Sequence, residues 1–372
     1  MVFNMTNYFE SQILRRQNLG NYRRLQVVAP QIDFSSNDYL GLAQSTLLAN
    51  NLREELANLG AFCHGSTGSR LLTGNTRYAQ ELEQEIALFH GYKAGLLFNC
   101  GYMANVGLLS AIATVQDTIF FDLNVHASMR DGIRLSRAKA FPFKHNNLEH
   151  LESRLKNHCC SGQRFVCIES IYSTDGTIAP LFEICALVEK YKAHLIVDEA
   201  HAVGVSGTVG EGLVASHNLN EKVFAQVTTF GKALGVYGAI VMGSNGLKEM
   251  LINFATSYIY TTALPLHALA AIKCSYALVP SLHVQRAQIV KLKEIFAQSG
   301  LINSDTHIQA IKFSSNKAVQ RISTMLAQQG FDVRALMSPT VRRRKEVLRL
   351  CLHSFNTVEQ LLRLLECIDK YE

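Results

Sequence analysis

The sequence has no apolar run long enough to span a bilayer. Its longest, ALPLHALAAI, is short and holds Pro265 and His267. The opening stretch MVFNMTNYFESQILRRQNLG lacks an unbroken apolar core and carries Glu10, so no signal peptide is expected. Nine cysteines form neither a CxxC pair nor a regular framework, and the adjacent Cys159 and Cys160 are not expected to bridge one another. That usage fits a reducing compartment, and a cytoplasmic protein is expected. No strong charge of one sign is present: 18% of the 372 residues are charged, which is ordinary for a soluble enzyme, and the net charge of +6 is mild. This is too weak and too dispersed for a nucleic-acid surface, although it suits an anionic ligand. Internal repeats and low-complexity linkers are also missing.

What is present is alternation. From about residue 80, short apolar runs (AGLLFN, TIFFD, RFVCIES, AHLIVDEA, VFAQVTTF) read as strands ending in polar or glycine-rich turns. Helical patterns such as TRYAQELEQEIALFHG and PLFEICALVEKYK lie between them. Strand and helix in alternation imply an α/β fold with a mostly parallel central sheet flanked by helices. Beyond about residue 275 the pattern changes to helices with isolated short strands, HIQAIKF and VLRLCLH, the mark of a smaller α+β domain. The expected division is an N-terminal helix and arm over 1–40 that packs with the small domain, a large domain over 41–275, and a small C-terminal domain over 276–372.

In such sheets ligands collect at the carboxyl ends of the strands, so the residues found there carry the chemistry. After AHLIV come Asp198 and, three residues on, His201. An anion and an imidazole over one ligand suit a protonated ring nitrogen beside a phenolic oxygen; a helix cap or a surface ion pair is the blander alternative. After VFAQVTTF comes Lys232 between Gly231 and Gly235. A nucleotide P-loop is excluded there, because Gln226 stands where its first glycine belongs and Ala233 where its hydroxyl belongs. A lysine at an enclosed strand end can instead form a Schiff base with a carbonyl cofactor. Gly101 opens a helix whose free N–H groups suit a phosphate. His126, in DLNVHASMRDG, is either an ordinary surface histidine or an aromatic plate over a flat ring. Taken together these converge on pyridoxal 5′-phosphate (PLP).

Seven segments carry a resemblance that spans nearly the whole chain: FSSNDYLGLA (34–43), GSTGSRLLTGN (65–75), NVHASMRDGIRLS (124–136), IYSTDGTIAPL (171–181), IVDEAHAVGV (196–205), TTFGKALG (228–235) and YIYTTALP (258–265). With them the chain resembles the α-oxoamine synthases, PLP-dependent transferases of fold type I. The resemblance implies decarboxylative condensation of L-alanine with a pimeloyl thioester, pimeloyl-CoA or pimeloyl-acyl carrier protein, in a homodimer with shared active sites. It also implies roles. Lys232 would hold the cofactor and act as a base, Asp198 would pair with the ring nitrogen, His201 would contact the phenolic oxygen, and His126 would stack on the ring. Gly101, Tyr102 and Thr229 would bind the phosphate, joined by Thr262 from the neighbouring subunit. Asn37 and Ser173 would line the substrate region, Arg23 the acyl-chain entrance, and Arg349 would take the amino-acid carboxylate. No metal is implied. The run PTVRRRKEVLR departs from the family pattern before that arginine; its basic residues 342–345 are either a solvated turn or a contact for the donor's phosphates. Family members that condense other amino acids, and a cofactor-free scaffold of the same fold, stay open as alternatives.

Overall fold

The computed structural model describes residues 5–25, 31–60, 64–158, 161–301, 304–338, 340–342 and 344–370. Cys159, Cys160 and Arg343 lie outside these. The chain divides into two compact units. The larger comprises Asn37–Ser173 and Thr177–Gln288; the smaller comprises Met1–Ser36, Thr174–Gly176 and Ile289–Glu372.

The larger unit is built on a seven-stranded sheet. Its strands are β1 (Ala94–Phe98), β2 (Thr118–Asp122), β3 (Lys139–Phe143), β4 (Arg164–Glu169), β5 (His194–Asp198), β6 (Val223–Thr229) and β7 (Ala239–Gly243). They lie in the order β1-β7-β6-β5-β4-β2-β3, and only β7 runs antiparallel to its neighbours. The expected α/β architecture with a mostly parallel sheet is borne out. β1 and β7 are buried along their whole length, as strands covered on both faces must be. The helices begin where side chains can satisfy their first N–H groups. Thr76, for example, accepts from Ala79 N to start Arg77–Phe89, and that stretch ends before Gly91 at φ 73°.

Because six strands run the same way, the ends of β1, β2, β4, β5 and β6 reach one edge of the sheet. Register places Glu169 opposite Asp198, and Asp198 opposite Val227. The strand-end residues singled out by sequence therefore become spatial neighbours.

The smaller unit holds an antiparallel three-stranded sheet, β8 (Ile308–Phe313), β9 (Arg334–Leu336) and β10 (Glu346–Cys351), in the order β9-β10-β8. Ile32–Asp33 pairs in parallel with Phe331–Asp332, and Cys351 N donates to Phe34 O at 2.8 Å. Phe34 and Phe331 are fully buried with ring centroids 6.2 Å apart. Burying each contributes ~1.5–3 kcal/mol, which helps fix this arm in place. Among the described residues, no helix is long and apolar enough to cross a membrane.

Candidate active site

A cavity of about 250 Å³ opens at the carboxyl edge of the large sheet. Asn37, Gly101, Tyr102, His126, Ser173, Asp198, His201, Thr229 and Lys232 all line it. Gly101 and Tyr102 reach it from one helix start, Asp198 and His201 from the end of β5, and Thr229 and Lys232 from the end of β6.

Lys232 follows β6 in a tight loop closed by Phe230 N to Gly238 O at 2.9 Å and Gly235 N to Lys232 O at 2.9 Å. Gly235 sits at φ 66°, and a Cβ there would meet Ala43 N at 2.3 Å, so only glycine lets this loop seat. The lysine Nζ lies 2.8 Å from His201 Nε2. His201 Nδ1 in turn lies 2.7 Å from the Tyr39 hydroxyl, which donates to Asn37 Oδ1 at 2.9 Å.

Asp198 ends β5 and is 5% exposed. A carboxylate buried this deeply needs donors, and it has them: Ala200 N at 2.9 Å on Oδ1 and Asn105 Nδ2 at 2.7 Å on Oδ2. The Asn105 amide also donates to Ser128 Oγ at 3.0 Å. Ser128 N donates to His126 Nδ1 at 3.2 Å, which places the ring proton of neutral His126 on Nε2. His126 caps the helix Ala127–Leu135 and lines the cavity. Desolvation by the surrounding walls lowers its pKa, so the imidazole is held neutral.

Gly101 starts the helix Gly101–Ile112, and no side chain caps that end. Its missing Cβ would fall 2.3 Å from Thr229 Cγ2. The Thr229 hydroxyl is buried and has no hydrogen-bond partner. Tyr102 reaches sideways and donates to Asp131 Oδ2. An uncapped helix start beside an unsatisfied hydroxyl is a ready cradle for an anion.

The remaining sequence candidates lie elsewhere. Thr262 is exposed, bridges to Ser69, and its carbonyl accepts from Asn99 Nδ2 at 2.9 Å; it does not line the cavity of its own chain. Arg23 and Arg349 belong to the smaller unit. Arg23 Nη2 donates to Thr340 Oγ1 at 3.0 Å. Arg349 stands on β10, 9% exposed, with Nη1 2.9 Å from Cys351 Sγ. In the basic run, Lys345 N donates to Arg342 O at 3.0 Å and Arg344 adopts φ 65°, so the segment turns.

Glu169, Asn105 and Ser128 are among the cavity residues that the sequence reading did not single out. Glu169 ends β4 as Asp198 ends β5, so the same strand-end rule points to it. It is 2% exposed, accepts from Ser173 N at 2.9 Å, and burial together with the Asp198 charge pushes its pKa up to about 8. Asn105 is one helical turn beyond Gly101, and its signal is an amide side chain within a mostly apolar helix. Ser128 falls two residues after His126, where an imidazole cap requires a donor. Chemically, the arrangement can hold an anion at the Gly101 helix start, a protonated ring nitrogen at Asp198, and a carbonyl carbon at Lys232.

A family model described as aminotransferase class I and II matches residues 29–368. The chain belongs to that family. Other members match along nearly their full length. An 8-amino-7-oxononanoate synthase from Emericella nidulans is 39% identical, with 96% of this chain and 93% of the relative covered. The crystal structure of the 8-amino-7-oxononanoate synthase from Francisella tularensis superposes with a TM-score of 0.77 at 31% identity, covering 91% of this chain and 97% of that one. Serine palmitoyltransferase from S. paucimobilis with bound PLP–myriocin aldimine gives a TM-score of 0.89 at 25% identity, covering 99% and 98%. Both are α-oxoamine synthases, so the resemblance read from the motifs is borne out within the aminotransferase class I and II family.

Proposed function

We propose that this chain is an 8-amino-7-oxononanoate synthase. It uses PLP to condense L-alanine with a pimeloyl thioester, releasing CO2 and the free thiol, in the synthesis of biotin. The observation that carries this reading is the meeting of Lys232, Asp198 and the Gly101–Thr229 cradle on one cavity. These residues fit the cofactor. The orphaned Thr229 hydroxyl and the uncapped helix start match a phosphate, and buried Asp198 matches a ring nitrogen that must stay protonated.

When bound, PLP supplies the electron sink for charge left on the amino acid's α-carbon. The chain's own residues do the rest. Asp198, held by Asn105 and Ala200, keeps a proton on the ring nitrogen. Lys232 removes the α proton and later returns one, acting as general base and then acid. His201, 2.8 Å away, is placed to exchange a proton with that amine. Neutral His126 would stack on the ring of the bound cofactor. Gly101, Tyr102 and Thr229 hold the phosphate, with Thr262 of the neighbouring subunit reaching the same group, so the working unit is a homodimer. Asn37 and Ser173 line the space for the substrate, Arg349 takes the amino-acid carboxylate, and Arg23 sits at the acyl-chain entrance. A cytoplasmic setting is part of this reading, as the irregular cysteine usage of the sequence suggests.

The test is thiol and CO2 release across a panel of amino acids and acyl thioesters. Alanine with a pimeloyl thioester is expected to give the highest kcat/KM, and Lys232→Ala is expected to reduce turnover by roughly 100- to 10,000-fold or more. Serine with palmitoyl-CoA is the informative competitor, given the fold's closeness to serine palmitoyltransferase. A preference for that pair would replace the proposed substrates, while near-normal turnover by Lys232→Ala would sink the mechanism.

A further inference from the structure

Behind Lys232 runs a line of hydrogen bonds whose direction is fixed at its far end. Tyr39 is fully buried, so its hydroxyl does not exchange partners with bulk water. That hydroxyl has one proton, and it is donated to Asn37 Oδ1, a carbonyl oxygen that can only accept. Towards His201 Nδ1, 2.7 Å away, the same hydroxyl therefore offers a lone pair. Nδ1 must carry the ring proton, and neutral His201 turns a bare Nε2 towards Lys232 Nζ at 2.8 Å.

We propose that Tyr39 is a positioning residue for the reaction: by fixing the tautomer of His201, it keeps an acceptor facing the Lys232 amine. The proposal rests on the reading of Lys232 as the reactive amine. Its consequence is a proton path that balances in both directions. After Lys232 has taken a proton, an ammonium N–H passes one to Nε2. The amine lone pair is restored and the ring becomes an imidazolium. Both imidazolium N–H groups then have acceptors already in place, the Tyr39 oxygen at Nδ1 and the lysine nitrogen at Nε2. On the return step Nε2–H gives the proton back. With the opposite tautomer, an N–H would point at an ammonium N–H, and neither could accept. His201 is itself 4% exposed, so a wrong tautomer has little water with which to correct itself.

The experiment reads the tautomer directly, by nitrogen NMR of the cofactor-free chain labelled at its histidine ring nitrogens, with the His201 signals assigned from a His201→Asn variant. In the wild type, the proton is expected on Nδ1 and not on Nε2. Tyr39→Phe removes one hydroxyl without changing the ring, and is expected to move the proton to Nε2. After loading with PLP, the same variant is expected to lose roughly tenfold or more in kcat with little change in KM, the pattern of a misplaced proton-transfer group. A wild-type spectrum with the proton on Nε2 overturns the proposal, and it does so even if Tyr39→Phe fails to fold. A Tyr39→Phe spectrum identical to the wild type also overturns it. Borohydride reduction of the loaded wild type, followed by peptide mass analysis, tests the underlying reading separately. Label absent from Lys232 would remove that residue's assigned role, while the nitrogen spectra would still decide what Tyr39 does to His201.

Discussion

Glu169 and Asp198 end adjacent strands at paired positions, yet their surroundings treat them differently. Asp198 receives a side-chain amide and a backbone N–H, whereas Glu169 receives backbone N–H groups alone, Ser173 N at 2.9 Å among them. Burial, and then the charge on Asp198, push Glu169 from 4.5 up to about 8. The folded chain therefore keeps a proton that the unfolded chain releases. Since the folded state binds more protons between those two values, stability must fall as pH rises through that window. The contribution is fully present below about 4.5 and is lost as pH climbs through about 8. Glu199, fully buried and pushed up to about 7, tilts stability the same way. Glu169→Gln keeps the shape and removes the ionisation. The cofactor-free variant is expected to lose part of this pH dependence, leaving the share due to Glu199, and to resist urea better than the wild type near the upper end of the window. Parallel urea midpoints for the two proteins at every pH would show that Glu169 ionises like an exposed carboxyl.

At the scale of the element, the helix Gly101–Ile112 matters because of how it begins. A methyl group added at Gly101 would lie 2.3 Å from Thr229 Cγ2, so helix start and strand end are packed as one surface. Gly101→Ala should therefore displace the cradle, at an overpacking cost of ~1–3 kcal/mol. It should also weaken PLP binding, measured by absorbance titration. Combining it with Thr229→Ser removes the opposing methyl and keeps the hydroxyl, and should recover much of the affinity. No recovery would mean that Gly101 acts by some route other than this contact. The elements that carry the site were legible because each is an apolar run with its polar residues gathered at one end. β3 was not, since KAFPF contains Pro142 and is half exposed, as an edge strand can be. β7 was missed because AIVMG is five residues of plain apolar sequence between glycine-rich turns. Sequence marked Asp198 and Lys232 as strand-end residues, but the adjacency of their strands is a matter of sheet order. The partnership of Asn105 with Asp198 and of Tyr39 with His201 spans 93 and 162 residues. No local pattern encodes contacts of that range.

For the whole molecule the telling residue is Thr262. It is exposed and does not line its own chain's cavity, although the family resemblance assigns it to the phosphate. Large apolar side chains stand exposed in the same segments: Leu71 at 50%, Leu72 at 79% and Tyr260 at 82%. Apolar surface of this kind around a residue that does not line its own chain's cavity suits an interface between two copies of the chain. In a two-fold dimer each Thr262 would serve the partner's cavity, and that has a consequence single variants cannot mimic. Take Lys232→Ala and Thr262→Ala chains with different tags, and purify the mixed dimer after co-expression. If the site is shared, one cavity carries both substitutions, while the other combines an intact Lys232 with an intact Thr262. The mixed dimer should then show about half the wild-type activity at limiting PLP, because one of two equivalent sites is whole. The Lys232→Ala homodimer should be inactive, and the Thr262→Ala homodimer poorly loaded. If instead each site is made within one chain, the mixed dimer holds one dead cavity and one poorly loaded one. Its activity could then not exceed half that of the Thr262→Ala homodimer, and the two arrangements separate on a single rate measurement.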